Sequence, residues 1–312
     1  MQNKYFIVAV CLLCFLSYRS KAQDFPADSV RKTSNGSFTF NFSNVGLENW
    51  AGGGQNAISV GGIIDLKSKR ESARTIWQNN FNLAVGAAQI GGKGNLFKKT
   101  DDQLIASTQY GYKLTSVWSL GIGAEIRTQV LAGYTFYRDA QGNEKRGQVI
   151  SNFLSPGYLN TNVFGVSYNT KHIVATFSPT FGKITTVLDD SLSQAGAFGV
   201  DKGKKLRVEI GMNLNLKLDY DLATNVNFKT GVNLFSSYDP YFVKRIDVNW
   251  ETLLTLKVNK YISTTFGTQL IYDHDILIKQ KDNTSIQAVQ FKHVLNVNFS
   301  YKFEGKKMSL KK

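Results

Sequence analysis

Leu206-Arg207-Val208-Glu209-Ile210-Gly211-Met212-Asn213-Leu214-Asn215-Leu216-Lys217-Leu218-Asp219-Tyr220 is the stretch on which the fold turns. Leu206, Val208, Ile210, Met212, Leu214, Leu216, Leu218 and Tyr220 share one parity, and Arg207, Glu209, Gly211, Asn213, Asn215, Lys217 and Asp219 share the other. Period 2 places successive side chains on opposite faces of a strand. Soluble sheets use strands of about five or six residues, whereas a tilted strand crossing a bilayer needs about 9–11. This stretch suits the second case.

The same parity recurs along the chain. Val289, Phe291, Leu295, Val297, Phe299, Tyr301 and Phe303 alternate with Gln290, Lys292, Asn296, Asn298, Ser300 and Lys302. Trp118, Leu120, Ile122, Ala124 and Ile126 face away from Gly121, Gly123, Glu125 and Arg127. Twelve such runs are predicted, over 37–43, 56–66, 74–87, 102–114, 117–137, 157–169, 171–187, 206–220, 223–238, 243–258, 260–275 and 288–303. The composition agrees: 27 Gly but 4 Pro, 12% aromatic and 19% charged residues exclude a disordered polyelectrolyte and a helical bundle. Short connections near Thr115-Ser116, Thr170, Asp221 and Asn259-Lys260 alternate with long ones over 88–101, 138–156, 188–205 and 276–287. That alternation is the mark of an outer-membrane barrel, with both chain ends on the short-turn, periplasmic side. The fold class expected is therefore all-β: a transmembrane antiparallel up-and-down β-barrel of about twelve strands. Two aromatic girdles are expected, Trp77, Tyr110, Tyr112, Trp118, Tyr168, Tyr220, Tyr301 and Phe303 at the periplasmic rim, and Tyr134, Phe136, Tyr238, Tyr241 and Tyr272 at the outer rim. A soluble sandwich or lipocalin-like barrel is the alternative, with shorter strands and its apolar face inward.

Residues 1–22 read as a cleaved signal peptide: a basic start, an apolar run from Tyr5 to Tyr18, and Ser20 and Ala22 as small residues before the cut. Cys11 and Cys14 leave with it, so the expected mature chain has no cysteine, which is ordinary for an exported bacterial envelope protein. Its cations, Lys4, Arg19 and Lys21, leave too, lowering the formal charge from +14 to +11. A periplasmic segment over 23–36, the barrel over 37–303 and a basic tail over 304–312 complete the expected organisation.

The polar strand faces carry the candidates for chemistry. Glu125, Arg127, Arg207, Glu209, Lys217, Arg245, Asp247 and Glu251 would line the lumen. They read either as a narrow polar pore or as a paired network filling the interior. Eight strands leave an interior just filled by side chains and 16–18 leave an aqueous channel, so about twelve admits both. The basic excess favours anionic solutes or lipopolysaccharide phosphates as partners, and export excludes nucleic acid. His172, His274 and His293 show no metal-ligand spacing, and no spacing singles out the neighbouring Ser and His that an outer-membrane hydrolase would need. No catalytic residue, metal or cofactor is expected. Trp50, Gly52, Gly53 and Gly54 lack the strand–helix frame of a phosphate loop, so the glycines read as a tight or inward-folded loop.

Asn49-Trp50-Ala51-Gly52-Gly53-Gly54-Gln55-Asn56-Ala57-Ile58-Ser59-Val60 and Phe97-Lys98-Lys99-Thr100-Asp101-Asp102-Gln103-Leu104, continuing to Gln109-Tyr110-Gly111-Tyr112-Lys113, resemble a family of uncharacterised Gram-negative proteins classed as a domain of unknown function. The resemblance covers roughly residues 40–140. It implies an outer-membrane β-barrel and supplies no catalytic residue or ligand. Phe299-Ser300-Tyr301-Lys302-Phe303 is similar to the alternating aromatic signal read by the barrel-assembly machinery, which implies that machinery and outer-membrane lipid as partners. Three function classes follow: a narrow pore or transporter for small polar or anionic solutes, a closed structural or interaction barrel, and an outer-membrane enzyme.

Overall fold

The computed structural model describes residues 29–45, 56–91, 94–238, 245–279, 285–305 and 308–311. In chain order the strands are β1(Ser29–Val45), β2(Ala57–Glu71), β3(Thr75–Ile90), β4(Lys98–Lys113) and β5(Trp118–Thr128), followed by a separate hairpin of β6(Gly133–Arg138) and β7(Glu144–Ser151). Then come β8(Gly157–Asn169), β9(Ile173–Thr186), β10(Leu206–Ala223), β11(Val226–Ser237), β12(Asp247–Lys257) and β13(Ile262–Tyr272). A small hairpin of β14(Leu277–Lys279) and β15(Ser285–Gln287) precedes β16(Gln290–Glu304) and β17(Met308–Lys311). Each long strand pairs antiparallel with the next, and β16 returns to β1, closing a twelve-strand barrel. The Trp50–Gly54 loop, the signal segment and Tyr241 lie outside the described residues.

Barrel closure puts one parity outside. Val208 and Ile210 are 63% exposed and Leu295 is 69% exposed, all on the outer wall. An apolar surface of this extent suits a bilayer and not water. It removes the soluble alternative, whose apolar face would be inside. At the short-turn end Trp77, Tyr110, Tyr112, Tyr220 and Tyr301 project outward, and the Trp118 and Tyr168 rings stack 5.0 Å apart.

Several boundaries differ from the alternation. The run over 117–137 breaks: β5 stops at Thr128, and Tyr134 and Phe136 belong to the β6–β7 hairpin instead of the outer girdle. Asp102 causes the break. Its carboxylate accepts from the Val130 and Leu131 N–H groups (2.8 and 3.0 Å) and from Lys99 Nζ (2.9 Å), folding the chain over the barrel end. β1 begins at Ser29, since Ser29–Asn35 pairs as strand without an apolar stripe to mark it. Part of the basic tail also pairs: Met308–Lys311 lies against Lys32–Ser29.

The long-loop end carries an ordered cap. Helix α1(Asp190–Ala195) packs Leu192 with Val187 and Val200 into a small buried cluster. Asp189 caps the helix through its Oδ1, which accepts from the Ser191 hydroxyl and from the Ser191 and Leu192 N–H groups. The Asn152 amide donates to its Oδ2 at 3.1 Å. These bonds, the Ser191 hydroxyl foremost, hold the Asp189 carboxyl below its usual range. The Asp189 N–H donates to Ser155 Oγ (2.8 Å), tying the helix to the neighbouring loop.

Candidate functional site in the lumen

Strand register fixes what faces inward. Lys183 on β9 pairs in register with Glu209 on β10 and Asn160 on β8, on the parity opposite the exposed Val208 and Ile210. Lys183 Nζ lies 2.7 Å from Asp247 Oδ2, 3.1 Å from Asp273 Oδ2 and 3.8 Å from Glu209 Oε2, and sits 5.3 Å from the centroid of the Phe235 ring. Arg207 bonds Glu209 Oε1 (2.9 Å), the Gly199 carbonyl (3.1 Å) and Asp275. Arg245 reaches the same Asp275 at 3.9 Å. One ammonium and two guanidiniums thus meet four carboxylates at the long-loop end. Their mutual attraction offsets the cost of removing each from bulk water, but only while the set is complete.

Two further contacts cross the lumen. Arg127 on β5 lies 3.5 Å from Glu251 on β12 and 3.8 Å from Glu125. In strand order β5 and β12 stand five places apart in a ring of twelve, nearly opposite. Gln269 and Asn249 donate to the same Glu251 oxygen at 3.0 and 3.2 Å. Lys292 on β16 bonds Asp101 on β4 at 2.6 Å, across four strand places.

The short-turn half of the wall is built differently. Gly111, Gly121 and Gly165 pair in one row across β4, β5 and β8. A Cβ at Gly121 would stand 2.5 Å from the Tyr110 carbonyl, so only glycine fits there. Ser119 and Ser167 pair in the next row, and Ser167 and Thr176 join hydroxyls at 2.9 Å. Lys217, Lys257 and Lys302 are inward by register and exposed, and none makes an ion pair with any described residue.

The structure places Glu125, Arg127, Arg207, Glu209, Asp247 and Glu251 on the inner wall with Lys217; Arg207, Glu209, Asp247 and Arg245 join the Lys183 set, Arg127 pairs separately with Glu125 and Glu251, and Lys217 has no ion pair among the described residues. Reading by parity passed over Lys183, although its inward position on β9 was available from the alternation. Asp273 and Asp275, which flank His274, join the network. The pairing of Asp101 with Lys292 links residues 191 apart and follows from closure alone. The Lys98–Asp102 segment thereby gains physical content: Lys99 and Asp102 anchor the loop, while Asp101 bridges the lumen. Among the described residues no group of His, Cys, Asp and Glu could hold a metal.

Residues 42–134 match a family model described as "Protein of unknown function (DUF3078)". No curated protein matches the chain. Among solved structures, NanC porin is 10% identical, with 86% of this chain and 97% of that chain covered and a TM-score of 0.35. The translocator domain of the autotransporter NalP from Neisseria meningitidis is 7% identical, covering 96% and 95%, with a TM-score of 0.32. The CymD monoaromatic hydrocarbon channel is 10% identical, covering 88% of each chain, with a TM-score of 0.34. At these values the likenesses carry no argument about solute or mechanism. The chain is a closed twelve-strand antiparallel barrel, apolar outside and polar inside, similar over residues 42–134 to a family of unknown function.

Proposed function

We propose that this barrel sits in the outer membrane with both described ends in the periplasm and passes small anionic solutes through a narrow polar lumen. The observation that carries the reading is the unequal inner wall. A purely structural barrel would fill its interior with side chains along its whole length. Here the charges that reach across the lumen cluster at the long-loop end, while the short-turn half presents glycines, hydroxyls, ion pairs along its own wall such as Lys113–Glu71 and Lys229–Asp219, and Lys217, Lys257 and Lys302 with no ion pair among the described residues. That arrangement supports a vestibule that concentrates anions in front of a constriction. Among the described residues no Ser-His hydrogen bond supports the enzyme reading.

The test is conductance in planar bilayers. Folded protein should conduct with modest anion preference, and replacing Lys217 and Lys257 by Glu should turn that preference toward cations. Arg207 and Arg245 are poor handles for selectivity, because both are engaged with carboxylates. Absence of conductance from folded protein would leave the closed-lumen barrel. Single cysteines at Asn143 and Lys260 test the orientation: an impermeant reagent on intact cells should label Asn143→Cys only.

A further inference from the structure

The barrel closes through its shortest strand pairing. Ten to fifteen residue pairs join each of the other neighbours among the twelve barrel strands, but β1 and β16 pair over seven, from Asn35↔Glu304 to Asn41↔Asn298. Beyond that point both remain strands. Phe42–Val45 stays paired to β2 as far as Val45↔Ala57, and the start of β16 stays paired to β13 as far as Gln290↔Ile271. Two strand edges therefore face each other unzipped toward the long-loop end. An unpaired backbone edge in lipid is costly and rare.

Three features converge at the point where pairing stops. Asn41 Oδ1, in the last pair, is shielded from solvent and has no hydrogen-bond partner among the described residues. One pair below, Phe40 and Phe299 begin an apolar groove of about 700 Å³ on the outer wall, floored at Gly62 and flanked by Phe38, Tyr301 and Leu83. Around the opening, the outward Phe42, Leu295 and Val297 are about half exposed or more, so it lies within the apolar belt.

We propose that the β1–β16 seam is a lateral opening that admits the acyl chain of a membrane amphiphile from the bilayer toward the lumen. The groove receives the chain, and Asn41 offers an acceptor to a polar group entering behind it. This inference stands on the seam and does not depend on conduction along the barrel axis.

The test reconstitutes the full mature chain in phosphatidylethanolamine vesicles containing a phospholipid with a diazirine-bearing acyl chain. After illumination, adducts are mapped by peptide mass spectrometry. Adducts are expected on the outward Phe40 and Phe299 and also on the inward Asn41 and Ser43. In Ser43→Cys/Asn296→Cys, bridged by oxidation or by a short bis-methanethiosulfonate, inward adducts should fall at least fivefold while outward adducts persist. Bridging Thr39→Cys/Ser300→Cys, within the zipped part, should change neither. Outward adducts alone, or inward adducts unaffected by the upper bridge, would overturn the proposal. Anion conductance measured on the same bridged protein reports separately on the axial path.

Discussion

The two halves of the lumen obey different economies of charge. At the long-loop end, Lys183 meets Asp247, Asp273 and Glu209, and almost every charge has a partner. At the short-turn end the ion pairs are local, as in Lys69–Glu71 and Lys229–Asp219, and Lys217, Lys257 and Lys302 face solvent with no ion pair among the described residues. The difference teaches where function and stability separate. A charge held by three opposite charges cannot be removed without stranding them, whereas a solvated charge can be exchanged freely.

The largest expected effect tests that contrast directly. Lys183→Met takes the ammonium from Asp247 and Asp273 and leaves Glu209 with Arg207 alone, and should lower stability in lipid by about 3–5 kcal/mol, whereas Lys257→Met should change it by less than about 0.5 kcal/mol. Denaturant titration in vesicles measures both, and equal effects would erase the distinction between the halves. Next in size is the outer wall beside the vestibule. Leu214 pairs with Leu234 and Phe177 on the lipid side, so Leu214→Arg should cost about 2–4 kcal/mol. Asn213 is no neutral control despite facing the lumen. It is 4% exposed and donates to Asn233 and to the Leu234 carbonyl, so the lumen-exposed Lys217→Arg serves that purpose instead.

A smaller effect is expected in the cap over the charged half. Asp189→Ala removes a helix cap and should cost about 1 kcal/mol. Because the folded carboxyl titrates below its unfolded value of about 3.9, its contribution is complete above that pH and disappears as pH falls through the folded value. Unfolding midpoints of the wild type and Asp189→Ala should differ at pH 6 and converge as the pH is lowered through the range in which the folded carboxyl takes up its proton. A constant difference would assign the effect to helix propensity instead of to the ionised cap.

Much of this was legible along the chain, for a physical reason. Closure exposes one face to lipid and the other to the lumen, so parity is written into every strand, as in Leu206–Tyr220. The β5 ending at Thr128 was hidden because Gly133, Tyr134 and Phe136 continue the alternation while Asp102, on another strand, captures the intervening backbone. Partners across the lumen, such as Arg127 with Glu251, depend on which strands closure sets opposite. No local spacing encodes that. The unzipped seam escaped for the same reason: the alternation of β1 and β16 is regular past the point where they part.

The pairing of β17 with the start of β1 has a further consequence. Ser29 lies opposite Lys311, so the two described ends of the chain are neighbours in one ladder. Topologically the molecule is then a ring with a nick, and the nick can be moved. A circular permutant joining Lys311 to Ser29 through a short linker and opened at the two-residue turn 224–225 keeps every strand in its register. In such a chain the β1–β16 seam would be formed by consecutive segments instead of by the first and last ones.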